Sequence, residues 1–157
     1  MRLPSLAFAV VALTAFATGA GAVRAPLSDE CFFARNSVEV NDRCRAVLAS
    51  LADFRRRDAV FQAGPPPTMP PGPIAVGAAV HTGRTIRFAV EGHADDLRGP
   101  AADNTLSVRR AAAVARVLSD LGVPPEDLAL SGVGASTRRT PQVGDPSNRR
   151  VTIHEMP

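Results

Sequence analysis

Between Arg84 and Leu121 the hydrophobic pattern changes period, and that change limits the folds open to the chain. Ile86, Phe88 and Val90 alternate with Arg87, Ala89 and Glu91, the spacing of a strand with one buried face. The run ends in the polar loop Gly92-His93-Ala94-Asp95-Asp96, after which Leu106, Val114, Val117, Leu118 and Leu121 recur at helical spacing. Asp103 or Asn104 is the expected cap of this helix and Gly122 its stop, with Pro124-Pro125 barring continuation. The helix must bury its stripe, and the apolar face of the preceding strand is the nearest surface, so an α/β arrangement follows.

The other segments fit that frame. Cys31-Phe32-Phe33-Ala34 reads as a strand, and residues 41–57 as a helix closing on Arg55-Arg56-Arg57. Cations in a last turn face the negative end of the helix dipole, which explains the arginine run without a ligand. Residues 63–73 hold six prolines in eleven positions and are expected to form a stiff, extended surface connector; a docking motif for a proline-reading partner is the alternative. Ile74 to Val80 is a candidate accessory strand, with His81-Thr82-Gly83 as its turn. Leu128 and Leu130 open a third strand that Gly132 and Gly134 interrupt, and Val151 and Ile153 alternate with Thr152 and His154 in a fourth. The expected order is β-α-β-α-β-β, an α/β (α+β sandwich) fold with two main helices on one face of a mixed four-stranded sheet.

One residue breaks the helical stripe. Arg110 lies four residues after Leu106 and four before Val114, at the position that completes the apolar face. An unpaired buried guanidinium costs several kcal/mol, so a partner is expected. Asp95, at the end of the preceding strand, is placed to reach the first turns of the helix. Spacing leaves two readings open: a structural Asp95–Arg110 salt bridge that holds the loop down, or a ligand site. His93, Asp95 and Asp96 would serve a metal-dependent enzyme, but three ligand-type residues in one loop with the other histidines scattered is a weak pattern. No enzyme activity, catalytic residue, cofactor or metal is expected.

Residues 1–22 read as a cleaved signal peptide: Arg2, an apolar run from Leu6 to Phe16, then Ala20-Gly21-Ala22. Residues 23–30 are a polar lead-in, and 31–157 form a single domain. The first cysteine, Cys31, follows Ser28-Asp29-Glu30 rather than the apolar run, so no lipid anchor is expected. In an oxidising compartment two cysteines favour a Cys31–Cys44 disulfide; a buried free thiol at Cys44 is the alternative. All 18 positive side chains are Arg, and Lys, Trp and Tyr are absent. Schiff-base and P-loop lysines are thereby excluded, as are the indole and phenol platforms on which sugars and unstacked bases lie. A net charge of +3, with 15 acids interspersed, argues against a nucleic-acid partner.

Four motifs in order carry a resemblance: Gly92-His93-Ala94-Asp95, Leu106-Ser107-Val108-Arg109-Arg110-Ala111, Gly132-Val133-Gly134 and Asn148-Arg149-Arg150-Val151. Together they resemble the OmpA-like peptidoglycan-binding domain of outer-membrane protein A, the peptidoglycan-associated lipoprotein and flagellar stator protein B. The resemblance is dense from about Thr85 to Glu155 and looser over Phe32 to Arg57. It implies non-covalent binding of peptidoglycan through the diaminopimelate residue of the stem peptide, in the organisation or anchoring of the cell envelope. Asp95 takes the ligand-pairing aspartate's place and Arg110 the arginine's, with Asn104 and Arg149 as supporting residues near the site. Ala94 stands where the family has threonine, and Asp103 where it has its helix-start asparagine. The implied location is the periplasm, against the cell wall or outer membrane, with an outer-membrane or other envelope protein as a further partner. The alternative is an envelope interaction module that keeps the fold and binds the wall little.

Overall fold

The computed structural model describes residues 28–64, 84–95 and 97–156. The expected signal peptide, most of the proline-rich connector, the candidate strand at 74–80, its turn, and Asp96 lie outside them. Among the described residues four strands and two long helices follow one another: β1 (Ser28–Phe32), α1 (Asp42–Ala63), β2 (Arg87–Gly92), α2 (Pro100–Asp120), β3 (Leu128–Gly132) and β4 (Arg150–Met156). The sheet order is β1-β4-β2-β3, with β4 antiparallel to both neighbours and β2 parallel to β3. The expected mixed sheet with two helices is thus the observed one.

Register explains which residues form the core. Val90 lies opposite both Ile153 and Leu130, and Cys31 opposite Val151, so these side chains share one sheet face. Phe88, Val90, Val151 and Ile153 are buried there with Leu48 and Leu51 of α1 and Val114 and Leu118 of α2. Leu130 sits on the same face but is 50% exposed, because β3 is an edge strand. Cys31 and Cys44 form a disulfide joining β1 to the first turn of α1. Asn41 caps that turn: its Oδ1 accepts from the Cys44 amide at 2.9 Å, while its Nδ2 donates to the Phe32 carbonyl at 3.0 Å.

Three expected boundaries move. The first strand runs Ser28–Phe32, starting three residues before Cys31, because the ladder with β4 extends to Ser28↔His154. The first helix continues past Arg57 to Ala63, since Asp58 to Ala63 contains no breaker and Gly64 ends it. The arginine run therefore lies inside the helix, and the dipole explanation of it falls. Arg55 is instead buried, its Nε donating to the Ile86 carbonyl at 3.1 Å and its guanidinium pairing with Asp127, while Arg56 pairs with Asp53 at 2.6 Å. The second helix starts at Pro100 after Gly99, not at a cap on Asp103 or Asn104, because proline suits a first helical position whose amide has no partner. At the other end Gly122 takes a positive φ of 92° and the Val123 amide bonds the Leu118 carbonyl at 3.0 Å, the expected glycine stop. Among the described residues no helix is long and apolar enough to cross a membrane.

Candidate functional site

The parallel strands β2 and β3 end side by side at Gly92 and Gly132, which are paired in register. Helix α2 crosses both ends at very close range. A Cβ on Gly92 would lie 1.9 Å from the Ser107 carbonyl oxygen, and one on Gly132 2.5 Å from the Val108 amide nitrogen. Ser107 fastens the crossing: its hydroxyl donates to the Asn104 carbonyl at 2.7 Å and accepts from the Gly134 amide at 3.0 Å. Two glycines and a small hydroxyl thus let the helix backbone rest on the sheet, and the loop after β2 emerges beside its second and third turns.

Arg110 projects from that part of α2 and is fully buried. Its Nε donates to the Ser37 carbonyl at 2.9 Å, Nη1 to the His93 carbonyl at 2.9 Å and Nη2 to the Ala34 carbonyl at 3.2 Å. The guanidinium also lies over the Phe33 ring, 5.3 Å from its centroid. Asp95 is buried as well, but its Oδ2 accepts from Nη1 of Arg149 at 3.2 Å. Arg149 further donates to the carbonyls of Gly144, at 3.0 Å, and Phe33, at 3.3 Å. The direct Asp95–Arg110 salt bridge among the sequence readings is therefore not formed. Arg149, just before the interior strand β4 that pairs with β2, takes the carboxylate, and Arg110 is left with neutral acceptors. Among the described residues it has no ion-pair partner.

The electrostatics follow from this arrangement. Burial lowers the Arg110 pKa to about 10, Asp95 opposing the shift and Arg149 adding to it. The group stays cationic at neutral pH in a place that penalises its charge. His93, whose carbonyl holds Arg110, has its own pKa lowered to about 4, first by burial and then by Arg150. Its Nδ1 meets the Thr137 hydroxyl at 2.9 Å and its Nε2 the Thr152 hydroxyl at 3.2 Å, so the neutral ring is a spacer between strand end and loop. Below its usual value of 6.5 the unfolded chain takes up this proton more readily than the folded one. Stability is accordingly complete above about pH 6.5 and declines towards pH 4, by on the order of 3 kcal/mol. Urea unfolding of wild type and His93→Gln at pH 7 and pH 4 checks this: the acid-induced loss should be smaller in the variant, and an equal loss in both would refute the assignment.

Asn104 stands apart from the buried group. It is exposed on α2 and lines a cavity of about 330 Å³ with Pro100, Val133, Gly134, Ala135, Ser136 and Arg138. The Gly134 carbonyl accepts from the Ala94 amide at 2.8 Å, which makes this cavity the neighbour of the Asp95 loop. Asp103 is fully buried; its Oδ2 accepts from the Arg98 amide at 3.4 Å and its Oδ1 has no hydrogen-bond partner among the described residues. Sequence reasoning missed Asn148, which is fully buried and organises the β3–β4 connection. Its Oδ1 accepts from the Arg139 and Thr140 amides at 2.7 and 3.2 Å, and its Nδ2 donates to the carbonyls of Thr140 and Gln142. Its place before Arg149 was the available signal: an amide that folds the loop sets the next residue's direction. Among the described residues no group of three metal-ligating side chains occurs.

A mixed four-stranded sheet with two helices, a buried arginine on α2 and a half-buried one just before β4 define a domain of α+β architecture. Residues 75–152 match the OmpA family, and the fold is that of OmpA-like domains. Solved structures agree on the fold. The peptidoglycan-associated lipoprotein from Burkholderia pseudomallei superposes with a TM-score of 0.62 at 18% identity, covering 81% of this chain and 89% of that one. The OmpA-like domain of FopA1 from Francisella tularensis subsp. tularensis SCHU S4 gives 0.61 at 20% identity, covering 84% and 77%. The C-terminal domain of Helicobacter pylori MotB gives 0.58 at 20%, covering 82% and 84%. No curated protein sequence matches the chain significantly.

Proposed function

We propose that the chain binds peptidoglycan non-covalently through the diaminopimelate residue of the stem peptide, with Asp95 and Arg110 as the recognition pair. The family generally binds peptidoglycan, and its members are binding modules rather than enzymes. The observation that carries the reading for this chain is the state of Arg110: a buried cation that bonds three neutral carbonyls and, among the described residues, no carboxylate. The free end of diaminopimelate is an amino acid. Its carboxylate would offset the charge that burial penalises, and its ammonium would meet Asp95. Arg149 keeps Asp95 oriented in the meantime, and Asn104 offers an amide to the adjoining peptide.

Both recognition residues are covered, so binding includes a local opening whose cost lowers the apparent affinity. The cover over Asp95 is the Gly144 turn, whose amide bonds the Asp95 carbonyl at 2.7 Å and which packs on Leu97. On this reading residues 1–22 are a signal peptide, the domain works in the periplasm against the wall, and an envelope protein supplies any membrane link.

Co-sedimentation with purified sacculi tests the reading. Wild type is expected in the pellet, and Asp95→Asn, which keeps the shape and removes the charge, largely in the supernatant. Wild type remaining in the supernatant would sink the proposal, and equal pelleting of the variant would sink the site.

A further inference from the structure

The Cys31–Cys44 disulfide closes the segment between β1 and α1, and that segment faces both arginines of the site. Ala34 and Ser37 give their carbonyls to Arg110, and Phe33 gives its ring to the same guanidinium. Phe33 also bonds Arg149 twice, its carbonyl accepting from Nε at 3.3 Å and its amide donating to the Arg149 carbonyl at 2.8 Å. The segment is shaped for this. Asn36 takes a positive φ of 55°, and the Ser37 amide bonds the Ala34 carbonyl at 3.1 Å, which turns the chain so that both carbonyls point at α2. Carbonyls fix the plane of a guanidinium only if they are themselves fixed. Here the strand pairing of β1 holds one side of the turn, and the other side is held where α1 begins, at the covalent bond. Both cysteines are buried, at 1% and 2% exposure.

We infer that the disulfide is a positioning element of the binding site: it holds the Phe33–Ser37 turn and, through it, the guanidinium planes of Arg110 and Arg149. The consequence for ligand binding rests on the proposed function; the consequence for Arg110 does not. A preorganised guanidinium binds a carboxylate without first being ordered, so loosening the turn weakens binding even in a folded domain.

The test compares the full chain with the double variant Cys31→Ala/Cys44→Ala and with Leu118→Ala. Leu118 is a buried core residue two turns further along α2 than Arg110, and its truncation is expected to lower stability. All three are assayed at a temperature at which circular dichroism shows them folded. The spectroscopic readout is hydrogen exchange at the Arg110 Nε–H, which the Ser37 carbonyl protects. Exchange should speed up at least 10-fold more in the double variant than in Leu118→Ala, and affinity for sacculi should fall roughly 10-fold in the double variant alone. Unchanged exchange in the double variant overturns the inference whatever binding does. Faster exchange with unchanged binding overturns the link to the ligand. Should wild type itself fail to bind sacculi, the proposed function fails, and the exchange rates still decide the positioning claim.

Discussion

Replacing Gly92 by alanine should unfold the domain or come close to it. The new methyl carbon would stand 1.9 Å from the Ser107 carbonyl oxygen and 2.7 Å from its carbon, both backbone atoms that cannot swing aside. Relief requires lifting α2 off the sheet, and α2 carries Leu106, Val114 and Leu118 into the core and Arg110 into the site. Overpacking of a core typically costs about 1–3 kcal/mol when side chains can adjust. With backbone on backbone, a loss above that range is expected. Gly132→Ala, 2.5 Å from the Val108 amide nitrogen, should behave similarly. Among the described residues Gly64→Ala meets ordinary contacts at 3.4 Å and beyond, and it should change stability by less than about 0.5 kcal/mol. Urea midpoints of the three variants measure this; a Gly92→Ala protein as stable as Gly64→Ala would show that the helix does not rest on the strand ends.

The second large effect belongs to Arg110. Arg110→Ala removes a fully buried cation, takes from the carbonyls of Ser37 and His93 their guanidinium donor, and leaves that of Ala34 with the Ser37 amide. A buried carbonyl left unsatisfied typically costs about 1–3 kcal/mol, and a loss of at least that size is expected here. Arg110→Lys separates stability from recognition. An ammonium keeps the charge but cannot span three carbonyls from two segments of chain, nor grip a carboxylate with two parallel hydrogen bonds. It should fold, with reduced stability, and bind sacculi at least about 10-fold more weakly. Equal binding by the lysine variant would mean that charge alone, without the planar fork, accounts for recognition.

Much of this was legible in the residues because local pattern and tertiary role coincide. The alternation of Ile86, Phe88 and Val90 and the stripe of α2 are local, and strand and helix follow them. The moved boundaries have local causes that were outweighed. Three arginines looked like a helix end, although the first breaker is Gly64, and an Asp-Asn pair looked like a cap, although Pro100 had already opened the helix. The site divides the same way. Arg110 stood out because a charge in an apolar stripe must be satisfied. Its partners did not, because the carbonyls of Ser37 and Ala34 lie 73 and 76 residues away and carry no side-chain signature. Spacing places Asp95 beside Arg110 and leaves a salt bridge or a ligand site open, whereas the fold brings Arg149, just before β4, to Asp95 across 54 residues. Gly92 and Gly132 were noted as parts of motifs. Their reason, the contact with Ser107 and Val108, exists only once the helix is packed.

Recognition of diaminopimelate is the centre of the account, and titration of the isotope-labelled chain with free meso-diaminopimelate, followed by NMR, tests it most directly. Saturable shifts are predicted at Asp95, Arg110 and Arg149, absent in Asp95→Asn, with cadaverine a poor substitute because its ends carry an ammonium and no carboxylate. No saturable shift at these residues, or equal binding of cadaverine, would contradict it.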